Sequence, residues 1–102
     1  MKLLTKAIEE ALSKCPLGST DGPLLESKVI VKYFNPCGAG TWLVTEGRKL
    51  ADGDWVLWGM FHIFEWEWGY VLLSELESVK LPFGLGIERD LHAKGTVAEL
   101  KR

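Results

Sequence analysis

The twenty residues Asp54–Leu73, DWVLWGMFHIFEWEWGYVLL, hold four of the chain's five tryptophans, together with Phe61, Phe64 and Tyr70. Aromatic and β-branched side chains at this density favour pleated strands over helix. Asp52-Gly53, just ahead, is the strongest short hairpin signal in the chain. This block is therefore read as most of the core of a small β-rich domain, ending in an exposed Trp/Glu turn. It also restricts function. From Leu50 to Val79 there are six acids (Asp52, Asp54, Glu65, Glu67, Glu75, Glu77) and no Lys or Arg. Aromatic platforms that stack bases carry cations for the phosphates, so this stretch points away from nucleic acid.

At 102 residues the chain is read as a single domain, 1–102, large enough to bury one core. The net charge of −2 supplies no global basic field for DNA or an anionic membrane. The opening MKLLTKAIEEALSK is interrupted by Lys6, Glu9 and Glu10 and lacks the apolar run of a secretory signal. No segment approaches the roughly 20 apolar residues of a membrane span. A cytoplasmic protein with Cys15 and Cys37 as free thiols is expected. Two Cys and two distant His form no recognised zinc pattern, and neither a metal nor a cofactor is expected.

Leu4, Ile8, Ala11, Leu12 and Cys15 recur at helical spacing. With Thr5 as N-cap they predict an amphipathic helix of about ten residues covering one face of a sheet. Pro16–Glu26 reads as a loop. Four strands follow in an antiparallel meander, at Lys28–Phe34, Thr41–Glu46, Trp55–Ile63 and Tyr70–Leu73, with Glu65–Gly69 as the last turn. Ser74 and Glu77 have capping-box spacing and predict a short helix to about Lys80. LPFGLG (residues 81–86) reads as irregular, and Thr96 with Glu99 forms a second capping box.

Glu88-Arg89-Asp90-Leu91-His92 is the densest cluster of reactive side chains. Arg89 could clamp an anion, with Glu88, Asp90 or His92 as acid and base groups. An ion-paired surface loop explains the same residues at less cost. Arg89 is expected to hold the C-terminal segment down through a carboxylate, with Glu46, Glu75 and Glu77 as candidates. His62 lies in an apolar strand and reads as a packing residue. Glu65 and Glu67 flank Trp66 and fit a solvated hairpin better than a carboxylate pair for glycoside chemistry. Three of the five tryptophans are expected in the core, with Trp66 and Trp68 at the surface as protein-binding anchors.

KLLTKAIEEAL, KVIVKYFNPCGAGTWLVTE and WGYVLLSELESVKLPFGLGIERDLH together resemble the bacterial domain of unknown function 2958 family, from about Lys2 to Leu100. SELES and GLGIERDLH are the most specific parts. The resemblance places the family's motif on Trp42, Thr45, Glu46, Gly69, Tyr70, Glu75, Glu77, Glu88, Arg89, Asp90 and His92. It implies a small soluble bacterial protein of plasmids, phages or integrated elements, and no particular activity. The chain departs from the pattern near Phe64–Trp68, where the family is expected to be more polar.

The expected fold is α+β: a four-stranded antiparallel meander with an N-terminal helix and a short C-terminal helix. The leading functional expectation is a non-enzymatic accessory module whose partner is another protein. A nucleic-acid-associated role and a small hydrolase using Glu88–His92 are the alternatives. Nucleic acid is expected to bind weakly or not at all, no membrane contact is expected, and the oligomeric state is left open. The candidate polar cluster comprises Trp42, Glu46, Tyr70, Glu75, Glu88, Arg89, Asp90 and His92, and the candidate interaction surface is Trp66 with Trp68.

Overall fold

The structure, a computed structural model, describes residues 2–101. Helix α1 spans Lys6–Ser13, and the Thr5 hydroxyl accepts the Ile8 N–H at 3.2 Å, the expected N-cap. Strands β1 (Val31–Phe34), β2 (Thr41–Lys49), β3 (Trp55–His62) and β4 (Trp66–Leu72) form the antiparallel meander. Helix α2 (Leu73–Glu77), strand β5 (Glu88–Arg89) and helix α3 (Val97–Leu100) complete the chain. The α+β class holds, but the sheet has five strands, in the order β4-β3-β2-β1-β5. The added strand is β5, which lies antiparallel to β1 with Tyr33 opposite Arg89 and Phe34 opposite Glu88.

The two faces of the sheet carry two cores. Val31, Tyr33, Trp42, Val44, Trp55 and Leu57 point to one face, where Leu12 of α1, Leu73 and Leu76 of α2, Leu3 and Ile87 cover them. Leu43 and Met60 point to the other face and meet Val29 and Val97, with Trp66, Trp68 and Leu100 packed at the margin. A register shift between Val44 and Glu46 separates two parts of β2. Strict alternation would put Glu46 beside Trp42 and Val44 in the first core. The bulge instead turns Gly47 toward Leu12 and puts Glu46 on the second face, opposite Trp58.

Three local expectations are corrected. Trp66–Gly69 belongs to β4, and the turn is residues 63–65. The aromatic side chains extend the strand by packing across it: Trp58 stacks on Trp68 at 5.8 Å and meets Tyr70 at 4.8 Å. Only Trp42 and Trp55 are buried, while Trp58, Trp66 and Trp68 are half-buried. The capping box of Ser74 with Glu77 does not form. Helix α2 starts two residues earlier, with Leu72 as N-cap, and Glu75 accepts the Leu72 N–H at 2.8 Å. Ser74 donates both its N–H, at 3.1 Å, and its hydroxyl to Asp54. Thr96 and Glu99 do form their box, with bonds of 2.9 and 3.3 Å.

Asp54 thus ties the β2–β3 turn to the start of α2. Its carboxyl is held below its ordinary value of 3.8 by the Ser74 hydroxyl first, then by the Trp55 N–H. A carboxylate with a lowered folded-state pKa stabilises fully above the ordinary carboxylate range, and that contribution is lost as pH falls through the folded value. Asp54→Asn is therefore expected to melt below the parent at about pH 7, with the difference shrinking toward about pH 3. Thermal melts across that range check this, and a difference independent of pH contradicts it.

Candidate functional site

The Glu88–His92 segment is built into the sheet edge. Arg89 sits opposite Tyr33, which sits opposite Trp42, so the three occupy one row across β5, β1 and β2. Tyr33 is fully buried and donates its hydroxyl to the Leu3 carbonyl at 2.7 Å. Burial pushes its phenol well above the usual range, against the pull of the Arg89 charge, while Glu77 pushes it further up. Arg89 donates to the Lys2 carbonyl at 2.7 Å, so Tyr33 and Arg89 both fasten the N-terminal segment to the sheet. Of the three carboxylates proposed for Arg89, Glu77 shares its neighbourhood at Tyr33, and the other two have other partners. Tyr33 was not among the sequence candidates, although its inward position in KVIVKYF marks it as core.

Asp90 accepts the His92 N–H at 2.9 Å and pairs with Lys32 at 3.5 Å. The His92 N–H is the main cause of its lowered pKa; partial burial opposes it and Lys32 assists. Phe34, Arg89, Asp90, Leu91 and His92 surround a hollow of about 300 Å³. Glu46 does not join them. It is 4% exposed, and its carboxylate accepts the Gly18 N–H at 2.8 Å, the Thr20 N–H at 3.0 Å and the Thr20 hydroxyl. Trp42 is buried, Glu75 caps α2 and Tyr70 lies on the opposite edge strand. The eight polar-cluster candidates are therefore spread over several places, and only Arg89, Asp90 and His92 share one hollow.

A larger concavity, about 650 Å³, opens between α2 and the segment leading into β5. Leu3, Leu76 and Ile87 line it, with Lys2, Glu77, Lys80 and Glu88 supplying two charges of each sign. SELES and GLGIERDLH, distant in sequence, thus bound one hollow. Phe83 lies in the intervening loop with φ of 63° and is 97% exposed.

The β3–β4 hairpin presents a different surface. Phe64 at its tip is 96% exposed and Tyr70 is 65% exposed. Together with Phe61, Ile63, Trp68 and Gly69 they line an apolar groove of about 390 Å³, bordered by Glu65 and Glu67. None of the residues lining it is cationic. Trp66 and Trp68, the sequence candidates for this surface, turn mainly inward. Trp66 stands 5.0 Å from the His62 ring, and both tryptophans abut the second core. The exposed aromatics of the hairpin are Phe64 and Tyr70. An apolar residue at a hairpin tip was the available signal for Phe64.

The family model described as protein of unknown function (DUF2958) matches residues 3–99. The chain belongs to this family. The match spans the hollow beside α2 and the hairpin groove alike. No curated protein and no solved structure matches the chain. Among the described residues, no helix is long and apolar enough to cross a membrane. No group of three or more His, Cys, Asp or Glu there could hold a metal ion.

Proposed function

We propose that this family member is a non-enzymatic protein-binding module, a bacterial cytoplasmic accessory protein of a mobile element, and that it works through the β3–β4 hairpin. The observation that carries this reading is the exposure of Phe64 and Tyr70 around an apolar groove. Large apolar side chains held in water beside a groove are the anchors of protein interfaces. The acidic rim and the lack of a cation in the groove weigh against phosphate as its ligand. At the other charged cluster, Asp90 already serves the His92 N–H and Lys32, which supports a structural role over acid–base work. The origin on a mobile element rests on the family resemblance alone.

Affinity capture from a bacterial lysate, with and without nuclease, tests the reading. The immobilised chain should retain a protein whether or not nucleic acid is digested. The double variant Phe64→Ser, Tyr70→Ser should fold and lose it. Nuclease-sensitive capture, or capture unchanged in the variant, counts against the proposal.

A further inference from the structure

We infer that the free edge of β4, together with the hairpin groove, takes up an extended Lys/Arg-rich segment of another protein as an additional antiparallel strand. This rests on the protein-binding reading and specifies the chemistry of the partner.

The backbone supplies the first observation. β4 is the outer strand of the sheet. Leu50 donates its N–H to the Asp54 carbonyl at 2.7 Å, closing the β2–β3 turn. Antiparallel alternation then directs the backbone groups of Val56, Trp58, Met60 and His62 toward β2, and those of Leu57, Gly59 and Phe61 toward β4. The Trp58 carbonyl lies 3.5 Å from the Thr45 hydroxyl of β2, in agreement. Val71, Gly69 and Glu67 stand opposite Leu57, Gly59 and Phe61, so these complete the β3–β4 ladder. Trp66, Trp68 and Tyr70 must turn their N–H and C=O groups outward. Leu72 continues that series, and its N–H goes to Glu75. Among the described residues, no backbone hydrogen bond from outside the β3 ladder reaches Trp66–Val71.

Sheets usually blunt such an edge with proline, lysine, a bulge or a very short strand. The opposite edge, β5, has two residues. β4 has seven, contains neither proline nor lysine, carries a single charge at Glu67, and keeps an unbroken register from Val56↔Leu72 to His62↔Trp66. An edge left open beside an apolar groove is the geometry of strand addition, in which main-chain bonds give affinity and alternate side chains fill pockets. Gly69 keeps the groove open: a Cβ there would meet no atom closer than Phe61 at 3.8 Å.

Charge selects the occupant. Glu65 and Glu67 border the groove, and no Lys or Arg occurs from Leu50 to Val79. An incoming strand that alternates apolar side chains with Lys or Arg satisfies both features. A second copy of this chain fits worse. Antiparallel pairing of β4 with itself would bring no cation from either strand to the Glu65 and Glu67 of the other. Nucleic acid is repelled by the same rim.

The test uses the full chain, isotopically labelled, and two synthetic peptides. One alternates Val/Tyr with Lys/Arg, and the other carries Glu at every basic position. The basic peptide should shift the amide resonances of Trp66, Trp68 and Tyr70 and slow their hydrogen exchange, and the acidic peptide should not. Glu65→Lys with Glu67→Lys should weaken the basic peptide about tenfold or more and admit the acidic one. Tyr70→Pro removes one outward N–H while sparing the β3 ladder and should abolish binding, whereas Tyr70→Ala, which keeps that N–H, should retain part of it. If Tyr70→Pro does not fold, the charge reversal decides alone. Absence of edge shifts up to ~1 mM basic peptide, equal binding of both peptides, or a dimer sealed through β4 overturns the inference. If lysate capture still depends on Phe64 and Tyr70 in that case, the protein-binding reading survives and only the basic strand is rejected.

Discussion

Gly59→Ala is expected to destabilise the protein by about 3 kcal/mol or more, or to prevent folding. A Cβ at this position would lie 1.9 Å from the Leu43 carbonyl oxygen and 2.9 Å from its carbon. Those are backbone atoms of the neighbouring strand, beside the β2 register shift, so no side-chain rotation relieves the clash. What this glycine supplies is room rather than unusual backbone conformation. Gly69, directly opposite on β4, provides the control. Alanine there meets its nearest atom at 3.8 Å and should change stability by less than about 1 kcal/mol. Denaturant midpoints compare the two, and equal effects would contradict the packing described for β2 and β3.

Glu46→Ala should cost about 3 kcal/mol, because two backbone N–H groups and a hydroxyl lose a charged acceptor in a buried setting. Glu46→Gln keeps one carbonyl oxygen but turns an amide donor toward the remaining donors, and should fall between alanine and the parent. Chemical melts read the loss, and limited proteolysis should show residues 16–23 opening first, since Glu46 is what fastens Gly18 and Thr20 to β2. A midpoint within about 0.5 kcal/mol of the parent would mean that this carboxylate is free for ligand chemistry instead.

The meander was legible because its signals are local. β-Branched and aromatic runs mark the strands, and Asp52-Gly53 marks a turn in which Gly53 adopts φ of 91° and donates to the Leu50 carbonyl at 3.0 Å. The fifth strand was not legible. Glu88 and Arg89 are two charged residues after a glycine-rich run, and only distant Tyr33 and Phe34 give them a ladder. The last turn was misplaced for a related reason. Glu65 and Gly69 look like turn residues, but cross-strand packing of Trp68 and Tyr70 on Trp58 outweighs that preference and pushes Ile63 and Phe64 into the bend. Ser74 has the spacing of a cap, yet Asp54, twenty positions earlier, takes its donors.

The candidate site divides in the same way. The charge density of Glu88–His92 is plain in the sequence. Its ties to the Lys2 carbonyl and Lys32 depend on strands that meet only in the fold. Family resemblance singled out SELES and GLGIERDLH, and the fold brings them to one hollow. In the hairpin the resemblance reached Gly69 and Tyr70, while over Phe64–Trp68 this sequence departs from the expected pattern. There the signal was composition: aromatics and acids without a cation.

The proposed protein-binding surface is the β3–β4 hairpin. Phe64 and Phe83 are almost equally exposed, at 96% and 97%, and lie in different loops, so a photo-crosslinking aromatic residue placed at either one samples a different surface. Crosslinking in cells is predicted to give a discrete, nuclease-resistant protein adduct from position 64 and none from position 83. An adduct from position 83 alone, or nucleic acid captured at position 64, would contradict the assignment of this surface.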